Sequence, residues 1–265
     1  MSQTVETAPL GHYRFNHVLR SEFAKIATLP STAITLGVTV VAGLLVTALV
    51  SHNVMYHGST GFDATQEALT GLIVVALTGG VFGALLITGE YSSGTIRATL
   101  SATPNRPLLL AAKVSVTAAA TVVFCELLSF ASFFLGESIL SGRAIPAANV
   151  GSPGALRAVL MTGVFIALMA LMSFGFGLIF RSTAGAIAAF AGVVFVLPLV
   201  MHGISEQAVK YLPPNMLVNS VMATVGQGQG GPFQPVSAGV GLLLMAVYAA
   251  ISLGVGAVLF VKRDA

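Results

Sequence analysis

Between Arg157 and Arg181 the chain runs without one ionisable side chain, and runs of this kind recur along its length. An α-helix rises 1.5 Å per residue, so about twenty uncharged residues cross a hydrocarbon layer roughly 30 Å thick. Lipid offers a bare backbone no hydrogen-bond partner, so stretches this long are expected to be helical. Charged residues then mark the ends of the spans. The first run lies between Lys25 and Asp63, with its apolar heart near Ala33–Val50, and the second between Glu67 and Glu90. Lys113 and Glu137 bound the third, Arg157 and Arg181 the fourth, and Arg181 and Glu206 the fifth. The sixth is the stretch Val236–Val261 ahead of Lys262. This pattern predicts an all-α, polytopic membrane protein with transmembrane helices near residues 32–51, 68–89, 108–136, 157–180, 183–203 and 236–261. Residues 1–30 read as a leading segment and residues 31–265 as the membrane domain. The short link Arg181-Ser182-Thr183 demands a tight hairpin; one bent helix there would leave five spans and reverse the C-terminus.

Composition agrees with this class. Only 8% of the 265 residues are charged, 55% are hydrophobic, and the mean hydropathy is +0.92. A water-soluble domain carries about a quarter charged residues, so this surface is expected to meet lipid. The net charge of +3 does not point to nucleic acid, because the basic residues are scattered singly instead of gathered on one face. Cys125 is the one cysteine, which excludes an intramolecular disulfide and a cysteine-rich metal finger. The first twenty residues are polar and lack the apolar core of a cleavable signal.

The basic residues orient the spans. With the N-terminus cytoplasmic, the inner side holds Arg14, Arg20, Lys25, Arg97, Arg106, Lys113, Arg181, Lys262 and Arg263, and the outer side only Arg143, Arg157 and Lys210. Excess positive charge on the cytoplasmic side is the common rule. Both termini are therefore expected inside a cell membrane.

Three segments do not span. Residues 13 to 29 carry Phe15, Val18, Leu19, Phe23 and Ile26 at helical spacing, with Arg14, His17, Arg20, Ser21 and Lys25 mainly on the other face. This suits an amphipathic helix in the headgroup layer, or one packed on protein, ended by Pro30. The loop from Glu90 to Arg106 contains Gly94 for a sharp turn and Thr95 to cap a short helix. Ile96 and Leu100 share one face of that helix, making an apolar knob beside an exposed Arg97, and Pro104 ends it. In the last outer loop, Tyr211-Leu212-Pro213-Pro214 starts a rigid turn. Met216 to Val225 reads as a short interfacial or re-entrant helix, and Gly226 to Gly231 as a flexible link.

Glu126 is the carboxylate well inside a span, where an unpaired charge is expensive. It must meet another helix, water or a substrate cation, or carry a proton. Gly79 and Gly83 form a GxxxG pair that suits close helix packing, within the chain or between chains. His52 and His57 near Asp63 lack the spacing of a metal site, and no HExxH is present. Gly203-Ile204-Ser205 has no intramembrane histidine or aspartate to support hydrolysis.

The pair Glu90-Tyr91, then Gly94-Thr95-Ile96-Arg97, Leu100, Pro104, Arg106 and Lys113 resembles the cytoplasmic pattern of the ABC-2 type family of transporter permeases. The leading amphipathic helix, six spans and long last outer loop are similar too. The resemblance implies two membrane subunits, alike or different, working with two copies of a separate ABC ATPase. It implies that Glu90, Tyr91, Gly94, Thr95, Ile96, Arg97, Leu100 and Arg106 couple the ATPase to the spans. No GxxxxGK[ST] phosphate loop occurs in the chain, so ATP and Mg are expected on the partner and catalysis is not expected here. The absence of a large outer domain favours export of a small lipophilic or peptide substrate. Two other classes stay open, an ion-coupled secondary carrier acting through Glu126 and a non-transporting scaffold or sensor subunit.

Overall fold

The computed structural model describes residues 15–56, 62–223 and 236–263. Helix α1 (Phe15–Thr28) stops at Leu29, whose backbone is extended, and Pro30 opens α2 (Pro30–Asn53). Proline suits a first helical turn because its missing N–H has no partner there in any case. Along α2 the usual amphipathic order is inverted. Thr32, Thr39, Gly43, Thr47 and Ser51 are buried, while Ile34, Val38, Val41, Leu45 and Leu49 are exposed. Small and hydroxyl side chains facing the bundle, with aliphatic ones outside, is the arrangement expected where lipid is the solvent.

The chain continues through α3 (Ala64–Leu69), α4 (Leu72–Ser92), α5 (Thr95–Ala102), α6 (Arg106–Gly142) and α7 (Ala155–Phe180). Next come α8 (Thr183–Ala191), a π-helical turn over Gly192–Val196 and α9 (Leu197–Ile204). Two short helices, α10 (Glu206–Val209) and α11 (Pro213–Val221), precede α12 (Ala238–Lys262). Among the described residues, 6 helical stretches are long and apolar enough to cross a membrane, with α3–α4 and α8–α9 each counting as one. The fold is an all-α polytopic membrane protein.

Helix α7 is the hub. Its apolar window is 72% buried against 17% for α2, and α4, α6, α8 and α12 pack around it. Gly83 of α4 lies against the Ala170 carbonyl of α7, where an added Cβ would come within 2.0 Å, and Gly79 faces Ile166. The GxxxG pair is therefore used inside the chain. Between α7 and α8, Arg181 adopts a left-handed backbone (φ 52°) and the Ser182 hydroxyl accepts from Gly185 N–H, capping α8. Those two residues make the tight hairpin, and α8 runs back beside α4 through Thr183–Thr88 and Gly80–Phe190 contacts.

Helix α6 has 37 residues, roughly 55 Å by helical rise, well beyond the expected stretch 108–136. Lys113 and Glu137, expected at span ends, both lie inside it. Each charge has its own partner, so the helix need not stop. Glu137 accepts from Ala148 N–H at 2.6 Å, and Lys113 enters the ion-pair cluster below.

At the end opposite α5, α11 turns back into the bundle, burying Met216, Leu217 and Val221 against α7 and α12. It begins at Pro213, three residues before the expected start. Asp63 caps α3 through Gln66 N–H and accepts Ala223 N–H at 2.8 Å, while Arg157 donates to the Met222 and Ala223 carbonyls. His57 and the Gly226–Gly231 link lie outside the described residues. Among those described, no set of three metal-ligating side chains comes together.

Candidate functional site

Gly94 makes the turn into α5 with φ at 70°, a left-handed backbone that glycine adopts without a steric penalty. It also occupies the cap position expected for Thr95. Thr95 is the first helical residue, and its hydroxyl is 2.9 Å from the Ser93 hydroxyl.

The apolar knob of α5 points inward. Ile96 is 3% exposed and joins Val18, Ile87, Leu109, Phe174, Leu178 and Phe260 in one apolar cluster; Leu100 packs half-buried against it. That cluster brings α1, α4, α5, α6, α7 and α12 together at the same end of the bundle. The outward face of α5 is left to Arg97, Ala98 and Ser101. Ile96 therefore anchors α5 from beneath and is not available to fill another protein's groove.

Beneath α5, four charges form a closed group. Lys113 of α6 donates to Glu22 of α1 and to Glu90 of α4, each at 2.5 Å. Lys25 of α1 lies 2.8 Å from Glu22 and 3.2 Å from Glu90, and it reaches the Thr99 hydroxyl of α5 at 3.3 Å. Two carboxylates balance two ammoniums, so Lys113 and Glu22 are buried without net charge while Lys25 stays partly exposed. Burial alone would depress the Lys25 ammonium, but the Glu22 hydrogen bond and the Glu90 carboxylate together hold its pKa above the ordinary value. Glu90 takes both lysines on Oε1; its Oε2 is buried without a hydrogen-bond partner.

Tyr91, the next residue, serves the other side of the bundle. The Arg181 guanidinium sits 5.5 Å from the centre of its ring. Arg181 also donates to the Arg263 carbonyl at 3.3 Å, and Arg106 donates to the Val261 and Arg263 carbonyls at 3.1 and 3.0 Å. The pair Glu90-Tyr91 thus links the ionic group on one side to the ends of α7 and α12 on the other.

Of the residues singled out in the sequence, Glu90, Tyr91, Gly94, Thr95, Ile96, Arg97, Leu100 and Arg106 all lie at this end. Glu126 does not. Its carboxyl lies between α6 and α7, against Gly163, and neither oxygen has a hydrogen bond of good geometry; the Val164 amide is the polar group it approaches. Glu22 was not anticipated. It lies within the amphipathic stretch, and its i,i+3 spacing to Lys25 is visible in the sequence.

A family model described as "ABC-2 family transporter protein" matches residues 59–265, well over half the chain. The matched stretch holds Glu90 and Lys113, whereas Glu22 and Lys25 precede it. No curated protein matches the chain.

Proposed function

The chain belongs to the ABC-2 transporter family, and from that premise we propose that it is the membrane-spanning permease of an ATP-driven exporter coupled to a separate ATPase. As a family member it is a transport permease, and such permeases generally work as dimers with an ABC ATPase. The reading beyond that rests mainly on α5. It is a short helix held from beneath by Ile96 and tied to α1, α4 and α6 through the Lys25–Glu22–Lys113–Glu90 group. A push on its exposed Arg97 face reaches α1, α4 and α6 through the ionic group and, through the Ile96 cluster, α7 and α12 as well. Rigid, packed elements carry such displacements because interiors close-packed at this density do not absorb them.

In this reading the α5 end faces the cytoplasm, both termini lie there, and the protein resides in the plasma membrane. The excess of basic residues at that end supports the orientation. Phe15 and Phe23 of α1, 39% and 63% exposed, suit the lipid headgroup layer while Val18 and Glu22 hold the helix to the bundle. ATP and Mg belong to the partner subunit. A second permease copy or a related chain completes the path, and small lipophilic compounds or peptides are the substrate class.

The test is affinity purification of the tagged chain in mild detergent, with mass spectrometry and an ATPase assay of the eluate. An ATP-binding protein is expected to co-purify and to be released when Arg97 and Leu100 are replaced by glutamate. A folded permease that never brings down an ATPase would overturn the proposal.

A further inference from the structure

The ionic group under α5 reaches α1, α4 and α6. It does not touch α12 or the end of α7, although α12 packs along α7. A second set of contacts does reach them. Arg106, which opens α6 four residues after α5 ends, places one guanidinium nitrogen between Val261 O, in the last turn of α12, and Arg263 O just beyond that helix. Arg181, in the α7–α8 turn, shares the Arg263 carbonyl and stacks over Tyr91. Arg263 donates in return to Ile179 O at 3.3 Å, near the end of α7. The final carbonyls of a helix lack intrahelical donors and carry partial negative charge, so guanidinium groups are their natural partners.

We propose that Arg106 and Arg181 form a clasp through which movement of α5 is delivered to α7 and α12, separately from the ionic group that serves α1. Arg106 acts as a positioning residue. It follows α5 by the short link Thr103-Pro104-Asn105, and the Asn105 side chain caps α6 through Leu108 N–H, so a shift of α5 carries the start of α6 with it. The Glu90-Tyr91 pair divides the same displacement in two. Glu90 passes it to Lys113 and Lys25, and Tyr91 passes it to Arg181. The side chain of Arg106 suits this role because one planar, permanently charged group can satisfy two carbonyls at once.

This inference rests on the coupling reading, and its test separates the two. Hydrogen exchange is followed in the purified permease–ATPase complex, with and without ATP and vanadate. In the wild type, trapping should change exchange both at residues 18–25 of α1 and at residues 257–262 of α12. In Arg106→Gln the change at 257–262 should be clearly reduced, the Ile96 cluster with Phe260 being left in place, and that at 18–25 retained. Arg181→Gln supplies the same comparison should Arg106→Gln not fold. A response at 257–262 equal to wild type, or loss at both places, overturns the clasp while leaving the coupling reading intact. The absence of any ATPase in the purified complex overturns both.

Discussion

Lys113 of α6 and Glu22 of α1 stand 91 positions apart, and their side chains, only 4% and 5% exposed, form an ion pair with a 2.5 Å separation. Buried pairs seldom add much stability over an apolar pair, because desolvation offsets the attraction. Removing one partner is different, since it strands a charge. Lys113→Met leaves Glu22 and Glu90 facing each other with only the partly exposed Lys25 between them. The expected loss is about 3–5 kcal/mol, read as a fall in unfolding midpoint in detergent. Combining Lys113→Met with Glu22→Gln should lose clearly less than the sum of the two single changes, since each removes part of the other's cause.

The pH dependence of the same group follows from Lys25. Its pKa is raised above the ordinary 10.5, since the Glu22 hydrogen bond and the Glu90 carboxylate outweigh the opposing effect of burial. A raised folded-state pKa gives a stabilisation that is complete below the unfolded value and lost as pH climbs through the folded one. The wild type should therefore exceed Lys25→Met in unfolding midpoint by a steady margin between neutrality and about pH 10. Above that the margin should shrink. A margin that grows with pH would contradict the charge arrangement.

Gly94 carries the turn into α5 at a φ of 70°, and an added Cβ there would meet nothing within 4 Å. The effect of Gly94→Ala is thus confined to the backbone, about 1–2 kcal/mol for a left-handed residue with a side chain. Gly94→Asn should lose less, because asparagine tolerates that region. Faster amide exchange over residues 95–102, with the spans unaffected, is the expected signature. Gly89→Ala, also without a neighbour within 4 Å but helical, serves as the control.

The spans were legible in the sequence because lipid enforces them, and a charge-free run such as Ala158–Phe180 has few other fates. What the charges did not reveal is that a partner distant in sequence lets a charge sit inside a helix. Charge spacing alone makes Lys113 and Glu137 boundaries, whereas α6 extends past the expected 108–136 at both ends. The direction of Ile96 was hidden for a related reason. Spacing puts Ile96 and Leu100 on one face of α5 but does not say whether that face meets its own core or another protein. Glu22 escaped because an acid next to basic residues on an amphipathic helix is usually solvated. Only the proximity of α1 to α6 makes it a buried partner. The turn is closer to what its residues imply: Gly94 marks the bend, although it takes the cap position itself and leaves Thr95 inside the helix.

Glu126 supplies the last prediction. Its carboxyl rests on the Gly163 backbone of α7, and a Cβ at that glycine would lie 2.6 Å from the carboxyl carbon. One turn further along the same seam, Ser129 donates to the Val159 carbonyl at 2.8 Å, so α6 cannot simply slide away. The atoms in the way are all the end of the flexible Glu126 side chain, so Gly163→Ala should cost less than the roughly 1–3 kcal/mol usual for overpacking, with the carboxyl swinging aside. Glu126→Met should act in the opposite sense, since it replaces a buried carboxyl lacking a well-formed hydrogen bond by an apolar side chain of similar length and flexibility. A higher unfolding midpoint in Glu126→Met with unchanged substrate-stimulated ATPase activity would assign the carboxyl to packing alone. A higher midpoint with that stimulation abolished would show stability given up at Glu126 in return for activity, the trade expected of a residue that meets the transported molecule.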